Sequence, residues 1–474
     1  AMKARVFLDQ MGEGLAPLEK GLREELKEKR DNLLGKLSYL TKQMQETGGT
    51  DEKKLEELKK EYHKVESEFE ELLIKIRLDN PLYAGVKYPQ PVTVQDVQEN
   101  VLKPGEALIS YFISQDTLYA FIVSKDIFKV KTIKIGEKDV SNLVKRYNDT
   151  LTEKTSFTRH CAALYDKLFQ PLEKYLKPGA DIIIAPDGEL AKIPFETFVA
   201  GKNDQGQTTY LLEKYNIKYI QSASLLSLLR KYYKRDSASQ NFIGFGDPVY
   251  DYKSFQAGKK ERSNPAPARC DEISELFRDQ YKQDKGAFGR LQASGEEVKT
   301  IADLFKNKEY RSVSYLRKDA TEEKAKAVDM RDFDYIHFSC HGILGEMFQG
   351  LALSQIPGAA EDGYFTLNEV MNCDYHAKLI VLSACQTGSG KLQKGEGVTG
   401  LTRAFMYAGS PAVVAGLWKV DDLAAKELMI KFYRNMIDKK MSKPEALRQA
   451  KLALIKDGKF ASPYYWSAFV LYGE

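Results

Sequence analysis

Leu379-Ile380-Val381-Leu382-Ser383-Ala384-Cys385-Gln386-Thr387-Gly388-Ser389-Gly390 is the stretch on which the reading of this chain turns. Its four leading apolar residues suit a strand buried on both faces of a parallel sheet. The run stops at Ser383, and the small residues and glycines that follow form a loop carrying Cys385. Open α/β sheets place reacting groups on such loops, at the carboxyl ends of their strands. A second stretch has the same shape: Asp334 to Gly342, DYIHFSCHG, is an apolar-leaning strand that ends in His341-Gly342. One strand end offers a thiol and the other an imidazole. A thiol attacks as thiolate and needs a base or cation beside it, so the pair matches nucleophilic cysteine chemistry. Taken singly, each residue has a plainer reading: a Cys at a strand end is commonly a small buried hydrophobe, and a neighbouring His structural.

The longer pattern resembles a known family. FSCHG (338–342), VLSACQTG (381–388), GEGVTGLTRAFMYAGSPAVVAGLWKVDD (395–422) and SPYYWSAFVLYG (462–473) are similar to the CHAT domain family, caspase-like cysteine peptidases related to separase. The similarity continues upstream in IIIAPDGELAKIPFETF (182–198) and FIGFGDPVY (242–250). The resemblance implies an α/β fold, a caspase-like three-layer sandwich with a non-catalytic first half and a catalytic second half. It implies Cys385 as nucleophile and His341 as its base, with the backbone N–H groups of Gly342 and Cys385 as oxyanion hole. A glycine at 342 suits that role, because the backbone must come close to the tetrahedral oxygen.

The resemblance also bears on substrate. In separases a segment like Gly416-Leu417-Trp418-Lys419-Val420-Asp421-Asp422 supplies an acidic residue that holds the Arg preceding the cut. Asp247, Asp421 and Asp422 all fall at predicted strand ends, and Ser383 lies on the approach to Cys385. A carboxylate in the pocket would favour Arg or Lys. For Asp421 and Asp422 the alternative is capping of the helix that follows. The implied function is hydrolysis of peptide bonds in a specific protein substrate, after Arg or Lys, under an upstream sensor or partner acting through the N-terminal helical region. Related proteins suggest a bacterial immune effector. The competing reading is a caspase-fold scaffold that binds partners without cutting them.

Other chemistries fit less well. Cys340 adjoins His341 in the strand and points to the opposite face; His337 lies deeper and reads as core. Cys373 and His376 fall in a polar turn, and His160 and Cys161 in mid-helix. No pair has short zinc-ligand spacing, so neither metal nor cofactor is expected. Gly390-Lys391 resembles the end of a phosphate loop, but position 385 is Cys where that loop needs Gly, and Leu392 replaces its Ser or Thr.

Composition sets bounds on the whole. A chain of 474 residues with 43% hydrophobic and 29% charged residues is ordinary for a globular protein of two or three domains. A net charge of +4 gives no global case for nucleic-acid binding. No apolar run is long enough to span a bilayer. Five cysteines, sparse and odd in number, fit a reducing cytoplasm better than a disulfide framework.

The chain divides by pattern into a helical hairpin over 1–79, a linker over 80–104, the non-catalytic half over 105–235 and the catalytic half over 240–474. Ala1-Met2 reads as a cloning remnant. Residues 3–11 resemble the end of a helix that follows tetratricopeptide repeats in this family, so the chain is expected to be a piece of a longer protein. Residues 15–46 form one predicted helix. Residues 51–78 form a second, with Leu55, Leu58, Tyr62, Val65, Phe69, Leu72 and Ile76 along a coiled-coil seam. The hairpin reads either as a lever from sensor to protease or as a plain packed pair. Beyond it, strand alternates with helix in a doubly wound pattern, with a loop around 345–363.

Overall fold

The computed structural model describes residues 23–47, 92–232, 239–259, 261, 288–344, 349–371, 373–384, 391–393 and 397–474, with scattered positions between 54 and 72. Contacts divide the chain into two units, Val6–Pro91 and Val92–Glu474 with Ala1–Arg5. In the first unit a helix runs Glu24–Thr47. Leu26, Leu33 and Leu40 are buried at a seven-residue repeat, and Val65 and Leu72 repeat that spacing on the second stretch. This is the period of helices packed along a seam. The seam positions Leu55, Phe69 and Ile76 lie outside the described residues.

The second unit is built on one eleven-stranded sheet. β1 (Glu106–Ile113), β2 (Leu118–Ser124) and β3 (Phe128–Ile133) form an antiparallel meander. β4 (Asp181–Ala185) runs parallel to β1. β5 (Val199–Lys202) and β6 (Thr208–Tyr210) make a separate hairpin, after which β7 (Asn216–Tyr219) joins parallel to β4. In the second half β8 (Phe242–Pro248) lies between β9 (Ser312–Arg317) and β10 (Tyr335–Ser339), all parallel. β11 (His341–Leu344), β12 (Gln349–Ala352) and β13 (Tyr364–Thr366) form a small antiparallel sheet of their own. β14 (Leu379–Leu382) returns to the main sheet beside β10. The short strands β15 (Lys391–Gln393) and β16 (Gly397–Thr399) pair with each other, and β17 (Ala412–Gly416) runs parallel to β14. The last strand, β18 (Phe469–Gly473), is antiparallel to β17 and parallel to β7, so it joins the two halves.

Neighbouring residues of a strand point to opposite faces, and β10 shows what covers each. His337 meets Glu297 of the Gln292–Lys306 helix and Tyr433 of the Asp422–Ile437 helix. Phe338 meets Phe405 of the Leu401–Tyr407 helix. Helices therefore cover both faces, and the result is the expected three-layer α/β sandwich. The run Leu379–Leu382 is buried throughout, as a parallel strand between helix layers must be.

Three features depart from the sequence reading. β3 alternates Phe128 and Val130 with Lys129 and Lys131; it is an edge strand, where charge blunts further pairing and dilutes the apolar signal. DYIHFSCHG is two elements: β10 ends at Ser339, and His341 opens β11 in the smaller sheet. The segment read as a loop over 345–363 contains β12, which holds β11 in register through His341–Ala352 and Gly342–Leu351.

Candidate active site

The register of the main sheet brings the predicted strand ends together. Ser339 pairs with Gly246, Phe338 with Leu382, and Leu382 with Ala415. The carboxyl ends of β8, β10, β14 and β17 thus share one sheet edge. Ser383 and Ala384 leave β14 at that edge and Cys340-His341 leave β10 beside them. Cys385 lies outside the described residues. The backbone leading to it is closely packed: a Cβ on Gly416 would come within 2.8 Å of the Ala384 carbonyl oxygen. Only glycine lets β17 approach the backbone leaving β14 so nearly.

His341 is almost fully buried. Its ring is stacked on Phe288 at 4.9 Å between centroids and tilted against Tyr250 at 5.0 Å. Its backbone N–H donates to the Tyr250 hydroxyl, which donates in turn to the Ala352 carbonyl of β12. Nε2 lies 2.7 Å from the Gly289 carbonyl oxygen. A carbonyl only accepts, so Nε2 carries the proton and Nδ1 of the neutral ring does not. Burial pulls the imidazole pKa down to about 4; the Gly289 bond opposes the shift and the charge of Lys419 adds to it. At neutral pH His341 is therefore a neutral imidazole, the form in which it can take a proton.

The remaining predicted residues divide. Gly342 follows His341 at the start of β11. Ser383 is buried, and its hydroxyl finds no partner among the described residues. Asp421 caps its helix, its side chain accepting from the amides of Leu423 and Ala424. Asp422 reaches across to accept from the Ala293 amide at 2.8 Å. Burial, opposed by that bond and reinforced by the charge of Glu297, raises the Asp422 carboxyl to about 7. Asp247, expected to line a pocket, is buried and its carboxylate is already engaged. Arg290 binds it bidentately at 2.9 and 2.7 Å, and Arg317 adds a third bond at 2.8 Å.

The rival histidines and cysteines lie elsewhere. Cys340 and His337 are core residues, His337 bonded to Glu297 at 2.7 Å. Cys161 is buried in the Lys154–Leu164 helix, where burial pushes its thiol well above the ordinary range. Glu322, Glu361 and Glu369 bring carboxylates within 4.8 Å of one another. The Lys326 ammonium already sits among them, 2.6 to 2.8 Å from each. Among the described residues no helix is long and apolar enough to cross a membrane.

Sequence reasoning missed the residues that hold His341: Tyr250, Phe288, Gly289 and Arg290. Tyr250 closes the FIGFGDPVY motif, which marked a strand end without disclosing a role. Gly289-Arg290 carries no motif, since its part depends on a backbone carbonyl, which every residue has.

The CHAT domain family matches residues 158–474, well over half of the chain. Tetratricopeptide repeat protein 28 of Homo sapiens is 23% identical over 354 residues, covering 66% of this chain and 13% of that protein. Its Mus musculus counterpart is 30% identical over 109 residues, 23% of this chain and 4% of that protein. The chain thus spans a small part of the length of these relatives. Among solved structures, the Saccharomyces cerevisiae separase–securin complex is similar with a TM-score of 0.47 and 10% identity, over 80% of this chain and 30% of that one. The Arg-specific cysteine proteinase gingipain R is similar with a TM-score of 0.39 and 12% identity, over 71% of this chain and 74% of that one. With its motifs in order along the matched region and its mixed α/β sheet built as that reading expects, the chain belongs to the CHAT domain family.

Proposed function

We propose that this chain is a cysteine endopeptidase with Cys385 as nucleophile and His341 as base. The observation that supports the reading is the position of His341: it follows β10 beside the exit of β14, the strand that precedes Cys385 in sequence, with Nε2 2.7 Å from the Gly289 carbonyl oxygen. The Cys385 thiol gives its proton to His341, and its sulfur attacks the scissile carbonyl carbon. The tetrahedral oxygen is held by the amides of Gly342 and Cys385. The C–N bond then breaks as His341 protonates the leaving amine, and water, deprotonated by His341, hydrolyses the acyl-enzyme.

A base whose pKa is near 4 draws little thiolate from an ordinary thiol. The resting pair is neutral, which supports a peptidase of low basal activity that a sensor or partner, acting through the helical region, raises by changing the surroundings of His341. The substrate is a specific protein, in the setting of a bacterial immune effector. Asp422, with Ser383 and Asp421 beside it in the pocket, gives the preference for Arg or Lys.

The test is incubation of the purified chain with a mixed-sequence peptide library, read by mass, beside Cys385→Ala and His341→Ala. Cleavage is expected in the wild type and is expected to fall by about 10⁴-fold or more in either variant. Cuts should follow basic residues. Equal cleavage by Cys385→Ala would sink the assignment, and cuts after Asp or Leu but not Arg would remove the pocket. If none of the three cleaves and a peptide-based electrophile fails to label Cys385, the scaffold reading is favoured instead.

A further inference from the structure

We propose that Asp247 is a positioning residue for His341, acting through Arg290 and the Gly289 carbonyl; its catalytic consequence rests on the peptidase reading above. The Gly289 carbonyl that receives His341 Nε2 belongs to the same peptide unit as the Arg290 amide nitrogen. That unit is fixed from the side by the Arg290 guanidinium, whose Nε and Nη2 grip the two oxygens of Asp247. A bidentate Arg–carboxylate pair sets orientation as well as distance. A simple turn would need no such anchor.

Asp247 is itself locked. Its φ of 46° lies in the left-handed region, which is uncommon for non-glycine residues although Asp enters it more readily than most. Its amide donates to Ser294 Oγ at 2.7 Å, and the Ser294 hydroxyl donates to the Leu291 carbonyl at 2.7 Å. Arg317 binds both the Asp247 carboxylate and its carbonyl oxygen. Gly295 leaves the room: a Cβ there would stand 3.0 Å from the Asp247 Cβ. The contacts around Asp247 therefore hold residues 289 to 291 in sequence, and Phe288, one residue earlier, stacks on the imidazole. What the clamp controls is a tautomer. With the Gly289 carbonyl in place the proton stays on Nε2 and Nδ1 is the base; released, the ring redistributes between tautomers and half-productive orientations.

The experiment is NMR of the chain labelled with ¹⁵N-histidine, with His341 assigned by its loss in His341→Gln. The wild type should show a single Nε2–H tautomer for His341. Arg290→Lys, which keeps the charge and loses the fork, and Asp247→Asn, which is nearly isosteric, should each give a tautomer mixture. In the cleavage assay they should lower kcat about 10- to 100-fold, with KM changed less than about twofold. Arg317→Lys loosens the same carboxylate without touching the Gly289 peptide and should shift the tautomer clearly less than either. An unchanged His341 tautomer in folded Asp247→Asn or Arg290→Lys, judged by unmoved signals of the other four histidines, would overturn the proposal; so would an equal shift in Arg317→Lys. The tautomer is read without turnover. A wild type that cuts nothing therefore counts against the peptidase reading and leaves the spectra to decide this one.

Discussion

At the residue scale, two ionisable groups at the sheet edge are displaced by burial in opposite senses. His341 is pulled down to about 4. Its share of folding stability is full above its unfolded value of about 6.5 and is lost as pH falls toward 4. Phe288→Ala lets water onto the stacked face. We expect the acid limb of kcat/KM to move from near 4 toward 6.5 and the melting temperature to lose less between pH 7 and pH 5 than in the wild type. Asp422 is raised to about 7, and its sign is reversed: its favourable share is present at low pH and is lost as pH rises through 7. Asp422→Asn should therefore raise the melting temperature clearly more at pH 8 than at pH 5 and leave it nearly unchanged only below the ordinary Asp value of about 3.9. If Asp422 faces the substrate, cleavage after Arg should fall in the wild type as pH drops through 7, while cleavage after neutral residues should not. These residues were unequally legible. His341 and Cys385 stood out because their types and their order at strand ends are specific. Asp422 and Asp421 looked alike in sequence, and only their hydrogen bonds separate a helix cap from a carboxylate reaching toward another element.

At the element scale, the halves of the unit are tied by buried polar contacts as well as by strands. Lys451, on the Lys443–Asp457 helix of the second half, is fully buried and lies 2.9 Å from the equally buried Glu196 of the first half. Glu196 also accepts from the Tyr219 hydroxyl at the end of β7. Lys451→Met would leave that carboxylate unpaired in the core. We expect it to lower stability by about 3–5 kcal/mol in chemical denaturation, and expect adding Glu196→Leu to restore most of the loss. A loss in Lys451→Met under 1 kcal/mol would show that the pair is not buried in solution. The elements themselves were read well where the apolar period was long. β14 coincides with the apolar run Leu379–Leu382, and a helix follows Asp421 as the capping alternative requires. β3, β12 and β7 escaped because short strands with mixed polarity carry too few apolar positions to fix a period.

At the scale of the whole molecule, the last strand decides how the two halves relate. β18 enters between β7 and β17, and its five residues are buried throughout. Truncating Leu471→Ala should lower stability by about 2–5 kcal/mol. Because the strand belongs to both halves, hydrogen exchange in β4 and in β14 should speed up together; exchange that rises in only one would mean the halves unfold separately. The sequence by itself determined the layered α/β class, the strand that leads to His341, the buried strand over Leu379–Leu382, and the seven-residue apolar repeat of the helical unit. Each of these follows from local period and residue type, which a linear pattern records. Tertiary structure alone decided that β18 bridges the halves, that His341 starts a second small sheet, and that the Gly289 carbonyl selects its tautomer. It also turned Asp247 from a free carboxylate into the partner of two arginines. Apart from the small sheet, whose register pairs His341 with Ala352, those outcomes rest on contacts between residues 43 to 253 positions apart and on backbone groups common to every residue, so no local pattern distinguishes them.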